Sequence, residues 1–117
     1  MNSLLFRLAA ALCFLAVALG AIGAHALKGT LQANGMAEVW DKAVLYHFMH
    51  AIALLVLATL PVTRRAAAAL LLAGIVIFSG SLYALALTNM KWLGAITPLG
   101  GLCFLAGWIW LVVRPAQ

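Results

Sequence analysis

The 117-residue chain is 68% hydrophobic and 8% charged, with seven Lys and Arg, two acids and a net charge of +5. Soluble domains carry about 25% charged residues, and a compact soluble fold of this size has too little interior to hide so much apolar surface. The composition therefore reads as a polytopic membrane protein with a single integral domain, residues 1–117. Its cations (Arg7, Lys28, Lys42, Arg64, Arg65, Lys91 and Arg114) are spread along the whole length. That spread suits anchoring of helix ends and excludes the clustered basic face of a nucleic-acid binder.

In chain order, the first apolar run covers residues 4–27, long enough to span a bilayer. Ala24-His25-Ala26 has the look of a signal-peptide cleavage site, but the length of the run favours a span. Ala16, Gly20 and Ala24 follow a small-xxx-small rule with Gly23 beside them, a face that lets another helix come close in lipid. Residues 28–40 form the one long polar connection, with Gly29, Asn34 and Gly35 as turn formers. A short interfacial helix is expected over 36–40, with Trp40 at headgroup depth. Glu38 and Asp41 are the only acids in the chain, and Glu38 stands i,i+4 to Lys42, the spacing of a helix ion pair.

The second span is read as 41–60, closed by Pro61 and followed by Arg64-Arg65. The third is 66–88, with a small face at Gly80 and Ala84. Asn89-Met90-Lys91 makes a tight turn. The fourth span is 92–113, where Gly94, Gly100 and Gly101 offer further packing positions and Pro98 invites a kink. Arg114-Pro115 closes the chain. The expected fold is all-α: a four-helix transmembrane bundle of up-down topology, with short connections and one longer polar loop between the first two spans. Both termini then share one side with Arg7, Arg64, Arg65 and Arg114, which favours cytoplasmic termini.

Tyr46-His47-Phe48-Met49-His50 is the stretch that lipid makes expensive. Two imidazoles lie inside an uncharged run from Ala43 to Thr63, and polar groups at membrane depth face the protein interior. His47 and His50 share a helix face at i,i+3 and enter from the same leaflet as His25. A polar cluster of His25, His47, His50, Tyr46, Ser79, Ser81, Tyr83 and Thr97 is expected there. Its favoured role is interhelical hydrogen bonding. Haem ligation would need His25 with His47 or His50, because two histidines on one turn cannot hold opposite faces of a porphyrin. A divalent metal on His25, His47 and His50 would strain across their different depths. Proton or small-molecule handling has few polar groups to line a path. No cofactor is therefore expected. Cys13 and Cys103 read as small apolar fillers. No Gly-x-Ser-x-Gly elbow, phosphate loop or paired carboxylate within the spans points to catalysis.

Four motifs in order carry a resemblance. They are Gly20-Ala21-Ile22-Gly23-Ala24-His25-Ala26-Leu27, Tyr46-His47-Phe48-Met49-His50-Ala51, Phe78-Ser79-Gly80-Ser81-Leu82-Tyr83, and Leu93-Gly94-Ala95-Ile96-Thr97-Pro98-Leu99-Gly100-Gly101. Together they resemble the YgdD/YwdK-like small inner-membrane proteins, a domain-of-unknown-function family to which the eukaryotic transmembrane protein 256 is similar. The resemblance implies four spans in a bacterial plasma membrane and no assigned activity. The expected protein is a non-enzymatic membrane module whose partners are lipid, a second copy of itself or another membrane protein.

Overall fold

Four helices long and apolar enough to cross a membrane make up the computed structural model, which describes residues 1–114. The first span is α1 (Ser3–Ala24). A short helix, α2 (Lys28–Asn34), leads to the second span, α3 (Ala37–Thr59). The third is α4 (Arg65–Gly74) continued through a π turn (Ile75–Ser79) into α5 (Gly80–Thr88). The fourth is a 3-10 turn (Lys91–Ala95) followed by α6 (Thr97–Val113). No strand occurs among the described residues, and Pro115 lies outside them.

Each boundary has a local cause. Asn2 caps α1, its Oδ1 accepting the Leu5 N–H at 3.0 Å. Its Nδ2 donates to Thr63 Oγ1 at 3.3 Å and its backbone N–H to the Ala58 carbonyl at 2.9 Å, so the start of the chain is tied to the turn around Pro61. Gly35 closes α2 at φ 66° and Asn89 closes α5 at φ 58°, left-handed positions that glycine and asparagine tolerate best. Pro98 falls in the first turn of α6 rather than its interior. Its missing N–H is free of cost there, so it starts the helix instead of kinking it. The short helix of the long connection also lies away from its expected place. It is α2, upstream, and residues 37–40 already belong to α3. The reason is Asn34, whose Nδ2 donates to the Ala86 carbonyl at 2.9 Å and pins α2 over the end of α5.

The spans stand side by side in chain order, α1 against α3, α3 against the third span and the third span against α6. The whole is flattened, 47 × 26 × 17 Å, with α3 and the third span central and α1 and α6 outermost. The buried residues of α1 are Ala9, Ala16 and Gly23, spaced by sevens. A seven-residue small stripe keeps one face on a nearly parallel neighbour. The stripe is therefore rotated from the expected Ala16–Gly20–Ala24 line. Ala24 is exposed, and a Cβ on Gly20 would stand an ordinary 3.4 Å from Val44.

A second seven-residue seam, Gly100 and Gly107, holds α6 to the third span. Gly100 backs onto the Phe78 main chain, and a Cβ on Gly107 would meet Leu71 at 2.8 Å. From the other side Gly74, not anticipated from the sequence, leaves room for the Phe104 ring. Three expected packing glycines do not pack closely. Gly80 faces open space, Gly94 has only Leu85 at 3.9 Å, and Gly101 only Phe78 at 3.9 Å.

The interior divides by leaflet. Towards the termini it is mostly apolar, built on Ala51, Leu54, Leu57, Leu71, Ile75 and Phe104, with the Trp110 indole N–H also buried there. Towards the long connection it is built on Leu31, Met36, Trp40, Ala43, Leu82 and Leu85, with the buried polar side chains beside it.

Gly100→Ala should destabilise the protein by about 1–3 kcal/mol, since the added methyl has only main chain to displace. Gly80→Ala should be neutral or stabilising by up to about 1 kcal/mol through helix propensity. Reversible unfolding in mixed detergent micelles reads both values.

Candidate functional site

Trp40 is 2% exposed and joins three spans. Its indole is packed inside the protein, in the space left by Gly23, which has no side chain where the ring lies. Its Nε1–H donates to the Leu19 carbonyl of α1 at 3.0 Å, and its ring stands 4.8 Å from that of Tyr83 on α5. The Tyr83 hydroxyl is 2.7 Å from His47 Nδ1. His47 Nε2 is buried without a geometrically sound hydrogen bond, against the α1 backbone at Leu12. The protonation that suits both neighbours has Tyr83 donating to Nδ1 and the ring proton on Nε2, facing that backbone. Ser79 completes this half, its Oγ donating to the Ala43 carbonyl at 2.8 Å.

His50 serves α6 instead. The Trp108 Nε1–H of α6 donates to His50 Nε2 at 3.0 Å, so the ring proton sits on Nδ1, which donates to the Tyr46 carbonyl at 2.7 Å. The imidazole lies flat on Phe104, with centroids 3.6 Å apart and planes 14° apart. Tyr46 packs on Phe78 at 4.8 Å. Nearer the 3-10 turn, Ser81 Oγ donates to the Phe78 carbonyl at 3.0 Å or shares its proton with Thr97 Oγ1 at 2.6 Å.

The structure thus forms two groups from the expected residues. His47, Tyr83 and Ser79 link α3 to the third span, while His50 and Tyr46 turn towards α6. Ser81 and Thr97 form a separate bridge. His25 joins none of these. It caps α1 as an exposed residue, because α1 ends at Ala24 and the chain turns outward there. Among the described residues no three His, Cys, Asp or Glu side chains come together as metal ligands, and Cys13 and Cys103 are free thiols.

Between α3 and α6 runs a groove of about 690 Å³. Tyr46, Met49 and His50 form one wall, Phe78 the floor, and Pro98, Gly101, Leu102, Phe104, Leu105 and Trp108 the other wall. Met49, Leu102, Leu105 and Trp108 are exposed, so the groove opens sideways at membrane depth. It was not foreseen. The available signal was Phe104 and Trp108 at i,i+4, which puts two aromatic rings on one face of α6.

Trp108→Phe removes the donor to His50 but keeps the ring. It should cost about 0.6–1.7 kcal/mol, the range for hydrogen bonds between membrane helices. His25→Ala should leave detergent stability unchanged. Chemical unfolding of both variants beside the parent checks the pair.

A family described as "Protein of unknown function (DUF423)" matches residues 19–101. The chain is 46% identical over 114 residues to a UPF0382 membrane protein of Staphylococcus haemolyticus, covering 93% of each chain. It is 47% identical over 109 residues to the UPF0382 membrane protein YwdK of Bacillus subtilis, covering 88% of each. To a relative in Staphylococcus epidermidis the identity is 48% over 103 residues, 85% of this chain and 84% of the relative. No solved structure matches it. With four apolar spans and this likeness along nearly its whole length, the chain belongs to the DUF423/UPF0382 family of membrane proteins.

Proposed function

We propose that the protein is a non-catalytic membrane module that works through its helix surfaces, against lipid, a protein partner or a second copy of itself. One observation carries this reading: apart from His47 Nε2, the Tyr46 hydroxyl and the Trp110 indole N–H, the imidazoles and hydroxyls at the centre of the spans are occupied with each other or with backbone. His50 uses both ring nitrogens inside the protein, and Ser79, Ser81, Thr97 and Tyr83 each hold a partner. A nucleophile, general base or metal ligand needs a free lone pair aimed at a reaction space. The mostly apolar half-core towards the termini supports the same view, since it offers an ion or proton few polar steps to cross.

On this reading haem and divalent metals have no place, and the protein purified from native membranes is colourless and metal-free. A Soret band or a stoichiometric metal that disappears in His50→Ala would overturn it. The setting we infer is a bacterial plasma membrane with cytoplasmic termini. Arg7, Arg64, Arg65 and Arg114 lie at the terminal side, against Lys28, Lys42 and Lys91 at the other. Reporter fusions test this: a fusion after Arg114 should be active only with a cytoplasmic reporter, and one inserted at Gly29 only with an exported reporter.

A further inference from the structure

We propose that the α3–α6 groove docks one zwitterionic phospholipid with a primary-amine headgroup. An acyl chain would lie in the groove and the headgroup at Glu38, Asp41 and Lys42. This deepens the reading of the protein as a non-catalytic membrane module and rests on it.

The apolar half of the site is the groove itself. Its volume falls within the roughly 300–1,000 Å³ of small-molecule sites, and its lining is almost entirely aromatic and aliphatic. Gly101 keeps one wall low: a Cβ there would meet only Phe78 Cδ2, at 3.9 Å. The groove continues past Tyr46 into a shallower depression of about 450 Å³, lined by Glu38, Asp41, Lys42, Leu45 and Tyr46. Tyr46 lines both, and its hydroxyl has no hydrogen bond among the described residues, so a donor stands where an apolar tail would meet its polar head.

Charge complementarity selects the headgroup. Glu38 and Asp41 are the only acids in the chain, and both are exposed at this mouth beside Lys42. Glu38 and Lys42 were expected to pair at i,i+4, yet among the described residues no ion pair joins the three groups. Residues three and four apart on a helix hold their Cβ atoms about 5–6 Å apart. That spacing suits an ammonium and a phosphodiester separated by two carbons. Lys42 meets the phosphate, and the carboxylates accept the N–H donors of the ammonium. A trimethylammonium headgroup has no N–H to give. An anionic headgroup without an amine brings its phosphate to two uncompensated carboxylates.

The experiment reconstitutes the full chain in nanodiscs of equimolar dioleoyl phosphatidylethanolamine, phosphatidylglycerol and phosphatidylcholine, then releases it for native mass spectrometry. One retained phosphatidylethanolamine per chain is expected, favoured at least about fivefold over either competitor, close to 1 kcal/mol. Gly101→Leu fills the groove without meeting backbone and should cut that retention about fivefold while detergent melting stays unchanged. The double variant Glu38→Gln/Asp41→Asn should still retain one lipid but lose the preference among the three. Equal retention of all three lipids by the parent, a preference for phosphatidylglycerol, or undiminished retention in Gly101→Leu would each overturn the site. A chromophore or metal in the same spectra would instead sink the non-catalytic reading, whatever the lipid result.

Discussion

Within a bilayer no water is at hand to pair a stray N–H, hydroxyl or imidazole, and this constraint orders the structure. It explains why Trp40 spends its N–H on the Leu19 carbonyl, and why Tyr83 reaches for His47. It also explains why Trp108 is directed across the groove to His50. These bonds run between different spans, so each fixes a rotation and a depth. Their individual worth is modest, on average about 0.6 kcal/mol in membrane proteins. Their main effect is on register, because a rotated helix would leave several groups unpaired at once.

Cohesion comes chiefly from close packing, for lipid tails offer helices no hydrophobic reason to associate. Two seven-residue seams supply it, Ala9–Ala16–Gly23 on α1 and Gly100–Gly107 on α6. Each of these close-packed glycines is matched by a group from the neighbour: Gly23 by Trp40, Gly74 by Phe104, Gly107 by Leu71 and Gly100 by the Phe78 main chain. The seams and the hydrogen bonds are therefore not independent. Trp40 can reach Leu19 only because Gly23 leaves the space, and Phe104 stacks on His50 from a ring seated against Gly74.

The third span adapts to both neighbours at its centre. The π turn Ile75–Ser79 places Ser79 against the Ala43 carbonyl while Phe78 lines the groove floor. Single π turns recur at functional sites, where an extra residue lets one helix serve two packing directions. Here the turn lies at the meeting of the apolar half-core, the polar half-core and the groove. The groove follows from the flattened order of spans, since α6 packs on the third span and meets α3 where Phe104 and Trp108 contact His50.

Composition and run length alone determined the class, the four spans and their approximate ends, because a bilayer imposes one length and one backbone solution on every crossing. The need to shelter His47 and His50 was legible for the same reason. Their partners were not. Which of Ser79, Ser81, Tyr83 or Thr97 meets which histidine depends on helix rotation, and rotation is decided by seams such as Ala9–Ala16–Gly23 that look like any other small residues in an Ala- and Gly-rich chain. His25 was expected within the first span because the apolar run continues to Leu27, whereas α1 ends at Ala24; that Trp40 packs inside the protein was not legible because an exposed indole and a buried one have the same sequence signature. Only the tertiary packing, which sets a glycine beneath one indole and an open groove beside another, told Trp40 from Trp108.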